Sequence, residues 1–444
     1  MATTETSRAI ELRGRFPWLS GATWSQIKEY APTFLTEFSV MASQIIVYKL
    51  VAHYLGKLGF SEYALARRTL TLLLPIPVFG LAVGLPRYIS FSNGRNDRES
   101  ADRYFGATLW CVGIATLLCA VLINCFPAAF SYLFFGSRSY RALAFPMSLM
   151  ILGLCEHTVA CGYFRGHMQL DRANLLQFIN LGLLPILVIP FVHGSLENVL
   201  RSFGSLWVGT STVALILAPL RAIGEGCGKQ IVDLTRYGIQ RVPGDFFLMA
   251  LFTLPATIVA HVYGVEQAGF VAFGISLVSM VGGIFGPVGL VLLPKATWML
   301  AEQAHADLRA HLELIVTITL AGAAVIVSFL WAIMPSVIRM YLGAGFEQVI
   351  PIARFLILAA LPFSLYLVVR NLVDAYHEYG VTAAILGGGL TVFLIGLWVN
   401  KHFALSINTI LVDFVSATSV ITALSSWECW RILRAQPDAY RAKD

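Results

Sequence analysis

Residues 54–87 read YLGKLGFSEYALARRTLTLLLPIPVFGLAVGLPR, and residues 263–295 read YGVEQAGFVAFGISLVSMVGGIFGPVGLVLLPK. Each opens on a residue-glycine pair, Leu55-Gly56 or Tyr263-Gly264, and then places Gly-Phe at Gly59-Phe60 or Gly269-Phe270. A long apolar run follows and ends in Leu85-Pro86-Arg87 or Leu293-Pro294-Lys295, with the polar stretches GRNDRESADR and AEQAHADLRA beyond. One pattern written once in each half of a chain predicts an internal duplication. Membrane transporters are built on such repeats, with the site between the copies.

The rest of the sequence fits that frame. Of 444 residues, 57% are hydrophobic and 13% charged, and the mean hydropathy is +0.73. Soluble domains carry about 25% charged residues, so most of this chain is made for lipid. A bilayer core takes about 20 apolar residues per spanning helix. Runs of that length fall near 32–55, 61–86, 104–127, 143–164, 174–193 and 203–220, then near 245–264, 267–293, 311–334, 350–369, 380–399 and 405–426. The predicted fold is all-α and integral to the membrane: twelve transmembrane helices in two pseudo-symmetric six-helix lobes around a central cavity. Its divisions are an N-terminal arm (1–31), a first lobe (32–220), an inter-lobe linker (221–244), a second lobe (245–426) and a tail (427–444). Gly224, Gly226 and Gly228 keep the linker supple, and Pro243-Gly244 is expected to break the chain before helix seven. With the N-terminus inside, 21 of the 31 Lys and Arg fall on cytoplasmic segments. The positive-inside rule therefore puts both termini, the arm, the linker and the tail in the cytoplasm. No cleavable signal peptide is visible in the first thirty residues.

Several chemistries are excluded by what the residues lack. GEGCGKQ at 224–230 has Ile223 before it and Gln230 where a phosphate-binding loop needs Ser or Thr, so no nucleotide site is expected. No cofactor or metal is expected either, and the seven cysteines, which lie mostly in apolar segments, read as packing residues. The chain reads as a transporter rather than an enzyme, with no nucleic-acid partner.

Charges inside spanning helices are costly unless they face water or a partner, so they are the informative residues. Thr33, Glu37, Gln44 and Tyr48 keep within about 60° of one another at helical spacing, forming one polar stripe. It faces either a hydrated cavity or an interhelical hydrogen-bond seam. Arg67 and Arg68 point about 100° apart, so at most one faces a central cavity squarely, and they either bind an anionic cargo or pair structurally. Guanidinium suits phosphate because its planar fork of donors never loses its charge. With them, Lys49, Gln44, Tyr48 and Arg370 make up the expected substrate-binding set. Glu37, Glu156, His157 and Asp413 are candidates for ion coupling or charge balance. Glu156 and His157 form either a protonation switch or ordinary buried hydrogen bonds to Asn174, Gln177 or Asn180. Asp413 is expected to balance Arg370 or Arg354, while Arg370 and Asp374, four residues apart, also suit each other. His305 and His311 are expected to be solvated in a cytoplasmic loop.

In order and spacing, several stretches resemble the polysaccharide repeat-unit flippases of the multidrug/oligosaccharidyl-lipid/polysaccharide exporter superfamily. LGKLGFSEYALARR is similar to that family's turn between helices one and two, and GLAVGLPRYISF to its helix-two ending. GYFRG at 162–166 resembles the close of helix four, and LTRYGIQRVPGDF the entry to helix seven. YLGAGFEQVIPIARFLILAALPF and RNLVDA resemble its ninth-to-tenth helix region. The resemblance spans nearly the whole chain and implies a two-lobe, alternating-access flippase in a bacterial inner membrane. Its implied cargo is an undecaprenyl-pyrophosphate-linked oligosaccharide, driven by membrane potential or ion exchange, with polysaccharide polymerase and chain-length proteins as partners. Adjacent Arg67-Arg68 departs from the pattern and maps to no certain ligand of that family. The alternatives are a drug/cation antiporter of the same superfamily, which would want converging acids, and a multispanning polymerase or ligase, which would want a long outer loop.

Overall fold

The computed structural model describes residues 21–192, 194–216, 227–301, 305–377, 380–403 and 405–434. Residues 1–20 of the arm, 217–220 at the end of the first lobe, 221–226 of the linker and tail residues 435–444 lie outside the described residues. The described chain is helical throughout.

Among the described residues, ten helices are long and apolar enough to cross a membrane. The first of them is two crossings: Gly21–Leu73 changes direction at Gly56, whose φ of 66° and ψ of −165° are open to glycine alone. We call its arms α1 (residues 21–55) and α2 (57–94), the latter continuing through the helices Pro75–Val78 and Leu81–Gly94. α3 is Arg98–Cys125 and α4 is Ala144–Gly166. α5 (170–188) is interrupted by a π-helical turn, Phe178–Leu183, and so forms no single long α-helix. α6 is Leu196–Ile216, α7 Gly228–Tyr263, α8 Val265–Ala301 and α9 His305–Tyr341. α10 is Val349–Tyr376, α11 Val381–Phe403 and α12 Ile407–Arg434. The result is the expected all-α membrane architecture of twelve crossings.

The duplicated pattern is duplicated geometry. Gly264, between α7 and α8, has φ 86° and ψ 169°, matching Gly56 between α1 and α2. α1 to α6 pack chiefly among themselves, α4 against α6 most closely, and α7 to α12 do likewise around α8, α10 and α12. Where α4 crosses α6, a Cβ on Gly153 would stand 2.7 Å from Trp207 Cβ, and one on Gly204 would stand 2.7 Å from Leu149 Cβ. Without a hydrophobic drive between helices in lipid, such close backbone approach is what association runs on. Asp97 caps α3 by accepting from the Ser100 amide at 3.0 Å, and that bond holds its carboxylate below the usual range.

Two expectations are corrected here. The chain does not break at Pro243-Gly244: α7 is one helix from Gly228, and Leu234, Tyr237 and Gly238 bury a continuous face. Gly238 sits so close to Phe79 of α2 that a Cβ there would meet its ring at 2.2 Å. That packing outweighs the single backbone bond a proline removes. His305 and His311 lie on α9 rather than in a loop; the side chain of His305 is outside the described residues.

Candidate functional site

The lobes are joined at the end of the bundle that carries Gly56 and Gly264, as they also are toward the other end, where α7 packs on Phe79 and Gly84 of α2. At the Gly56 end Lys57 Nζ lies 2.7 Å from Glu266 Oε1, and the Ser61 hydroxyl donates to the Glu266 carbonyl at 3.0 Å. Phe60 packs on Phe273 and Phe346, with centroids 5.3 and 5.2 Å away. Below this lid, α2 offers its two arginines. Arg68 is 8% exposed and reaches across to α8, donating to the Ala272 carbonyl (3.3 Å), Ser276 Oγ (2.8 Å) and Ser279 Oγ (3.4 Å). Arg67 stays within the first lobe, donating to Gln44 Oε1 and, at 3.4 Å, to Tyr63 Oη. Tyr48 Oη lies 3.1 Å from the same Ser276 hydroxyl. One guanidinium thus spans the lobe interface while its neighbour belongs to α1 and α2, the divergence that adjacent helix positions impose.

Among the described residues, no carboxylate lies within 4.0 Å of either guanidinium. Taking a charge out of water costs several kcal/mol, and each hydrogen bond to it returns about 1.5–3 kcal/mol. The neutral oxygens meet Arg67 Nη1 and Arg68 Nε and Nη2 and leave the positive charges in place.

The polar stripe of α1 resolves mainly as a seam with α5. Asn174 donates to Thr33 Oγ1 at 3.0 Å, and Gln177 to Glu37 Oε1 at 2.8 Å. Higher up, Ser43 donates to the Gly182 carbonyl (2.5 Å) and Gln44 to the Leu181 carbonyl (3.2 Å). Both acceptors are in the π-turn, which releases carbonyls from the regular helical ladder. Glu37 itself remains exposed. Tyr48 leaves the seam and points across to α8.

Glu156 and His157 are engaged by different helices. Glu156 accepts from Thr212 Oγ1 on α6 at 3.0 Å, whereas His157 Nδ1 meets the Asn180 amide of α5 at 3.2 Å. Adjacent helical residues face different neighbours: His157 meets Asn180, one of the three expected partners, while Glu156 is bonded by Thr212, which is none of them. Asp413 is not balanced by an arginine; Asn400 donates to its Oδ2 at 2.7 Å. Arg354 instead donates to the Trp331 carbonyl at 3.0 Å. Arg370 is not brought to Arg67 and Arg68. It lies 3.7 Å from Asp374 on its own helix and 5.8 Å from the Tyr366 ring centroid. Lys49 is exposed and joins no ion pair among the described residues. Sequence reading missed Ser276 and Ser279, whose hydroxyls pass for helix packing; their spacing of three, facing an arginine, was the available signal. It also missed Arg165, which ends α4 and donates to Gln177 Oε1 at 2.7 Å.

The MatE family model matches residues 32–191, about a third of the chain. No curated protein matches by sequence. Solved structures match over nearly the whole length. One is the inward-facing conformation of a multidrug resistance MATE transporter of the MOP superfamily, with TM-score 0.71 and 15% identity, covering 91% of this chain and 96% of that one. An outward-facing MATE conformation gives TM-score 0.62 at 14% identity, covering 92% and 97%. A MOP superfamily transporter from Pyrococcus furiosus, described as having a binding pocket of reverse polarity and a suggested different function, gives TM-score 0.61 at 14% identity, covering 92% and 96%. These identities show a shared fold.

Proposed function

We propose that this protein is a MATE-type, MOP-superfamily transporter that works by alternating access and accepts an anionic cargo between its lobes. The fold and the greater likeness to an inward-facing structure support the first part. The joined Gly56 end and exposed lower α1 suit a crevice open to the cytoplasm. The observation that carries the second part is the pair Arg67 and Arg68, set at the lobe junction with, among the described residues, neutral oxygens alone for partners. In its finer form the cargo is a polyprenyl-pyrophosphate-linked oligosaccharide, crossing a bacterial inner membrane from the cytoplasmic leaflet while its lipid tail stays in the bilayer. An inside-negative potential favours that direction by about 2.3 kcal/mol per charge per 100 mV.

A second reading, exchange of a drug for a cation, is favoured by the solved structures, whose descriptions name multidrug transporters. On the comparisons it is the better supported of the two. Within the site its one supporting feature is Glu37, an exposed carboxylate part-way along α1. The charge of the crevice separates the readings, and the reverse-polarity relative is a precedent for an altered pocket on this fold. Proteoliposomes holding the purified chain test both. Flipping of a fluorescent polyprenyl-pyrophosphate sugar, with no uptake of a lipophilic organic cation, is the expected result. Proton- or sodium-driven cation uptake with no glycolipid movement would replace the anionic reading by the antiporter.

A further inference from the structure

α2 and α8 run side by side away from the Gly56 end, and they keep register. Gly269 lies against Ser61, and seven residues further along each helix Arg68 meets Ser276. Seven residues are two helical turns, about 10 Å. Arg68 and Ser276 are also equivalent in the duplication, each twelve residues beyond its turn glycine, Gly56 or Gly264. One member of this equivalent pair is a cation and the other a neutral hydroxyl.

The hydroxyls of α8 are set as acceptors. Ser276 Oγ donates to the Ala272 carbonyl at 2.9 Å and Ser279 Oγ to the Ile275 carbonyl at 3.1 Å. Their lone pairs are therefore what Arg68 Nη2 meets, at 2.8 and 3.4 Å. Arg68 Nε is bonded to the Ala272 carbonyl at 3.3 Å. Nε and Nη2 form one edge of the guanidinium, the two-donor edge that phosphate takes, and both are spent on the opposite lobe. Arg68 is buried, whereas Ser276 and Ser279 are partly exposed. No atom fits within a 2.8 Å contact. An oxygen between Nη2 and Ser276 needs that separation to about double, one hydrogen-bond length on each side. A phosphate on this edge and the present seating of Arg68 on α8 exclude each other.

We propose that the α8 oxygens stand in for the cargo's phosphate on Arg68, so that an anion taking the Nε–Nη2 edge frees α8 and opens the Gly56 end of the lobe junction. The inference rests on the anionic-cargo reading above. Hydrogen bonds to an ionised acceptor are roughly twice as strong as those to neutral ones, so the anion displaces the serines. It then favours the parted state, because only there is the edge free. Linkage makes the effect reciprocal: whatever parts α2 from α8 strengthens anion binding by the same factor. Two turns of each helix carry the separation from Arg68 and Ser276 to Ser61 and Gly269. The Arg68 carbonyl is held separately by the Thr253 hydroxyl of α7 at 3.0 Å, a bond for which an anion does not compete. The guanidinium is thus the part of the joint that a ligand can undo. An empty carrier stays shut at this end, and cargo opens it.

The test uses the purified full-length chain in detergent, with its seven cysteines replaced by alanine and with Phe60→Cys at the buried position beside Ser61. Inorganic pyrophosphate is the probe, at constant ionic strength. Binding is read as protection against thermal unfolding, and the state of the Gly56 end as the rate at which a maleimide labels the new cysteine. Pyrophosphate is expected to protect the chain and to speed labelling about tenfold, the worth of one hydrogen bond to a charged group. Ser276→Ala combined with Ser279→Ala should label fast without pyrophosphate and need about tenfold less of it for half-protection. Ser279→Ala alone, at the longer contact, should move both readouts the same way and serves where the double variant does not fold. Arg68→Gln should label at a rate that pyrophosphate does not change. Protection without faster labelling, a serine variant that needs as much pyrophosphate or more, or acceleration that survives Arg68→Gln would overturn the coupling alone. Absence of any protection by pyrophosphate would overturn the anionic-cargo reading together with it.

Discussion

A guanidinium buried in a membrane protein can reach water, find a carboxylate, or be met by enough oxygens to stand in for its hydration. Arg68 takes the third course, and its oxygens belong to the opposite lobe. Replacing it should therefore alter cargo binding and the closing of the lobes together. Arg68→Ala is expected to lower glycolipid flipping in proteoliposomes at least tenfold with the membrane abundance of the protein unchanged, and Arg67→Ala to lower it less, because its partners Gln44 and Tyr63 lie within one lobe. Arg68→Lys should restore little, since a single ammonium cannot span three acceptors as the planar fork does. Equal flipping by wild type and the double alanine variant would remove the pair from transport.

Helices decide which of these side chains can meet. The π-turn in α5 costs regular backbone bonds and in return turns carbonyls toward Ser43 and Gln44 on α1 and toward the Trp207 indole on α6. Ser43→Ala should cost about 1 kcal/mol in unfolding measurements, the ordinary yield of one buried hydrogen bond. The glycine crossing of α4 and α6 is less forgiving. A Cβ on Gly204 would lie 2.7–2.8 Å from the Leu149 side chain and from backbone atoms of Leu149 and Met150. Gly204→Leu is expected to lower the midpoint of thermal unfolding in detergent, at the upper end of the about 1–3 kcal/mol typical of overpacking. Gly209 has open space around it, so Gly209→Ala on the same helix should be close to neutral.

For the whole molecule, alternating access requires the joined end to part. Lys57–Glu266 is a partly exposed ion pair and holds that end weakly, by about 0.2–1 kcal/mol. The decisive contact is Gly269, where a Cβ would fall 2.1 Å from Ser61 Cα. Backbone cannot yield as a side chain can, so Gly269→Val should keep the lobes apart. The expected result is faster labelling of a cysteine placed at Phe60 by a membrane-impermeant maleimide added outside. Labelling as slow as in the parent cysteine variant would show that the end is not a gate. Lys57→Glu should accelerate labelling slightly, and adding Glu266→Lys should reverse it.

By itself the sequence determined the membrane class, the twelve crossings and the doubled glycine turn, since hydropathy and backbone permissiveness are local properties that no packing can override. Gly56 and Gly264 could be read as equivalent turns because a positive φ with extended ψ asks for glycine wherever it occurs. The unbroken helix through Pro243 was illegible, as it depends on how closely Gly238 approaches Phe79 of another helix. So were the partners of Glu156, His157 and Asp413. A polar residue within an apolar run declares that it must be satisfied, but a helix turns 100° per residue, and which neighbour lies on that bearing depends on helices distant in the chain. Only the tertiary structure decided that Arg68 joins the lobes while Arg67 does not, and that Gln177 stands between Glu37 and Arg165.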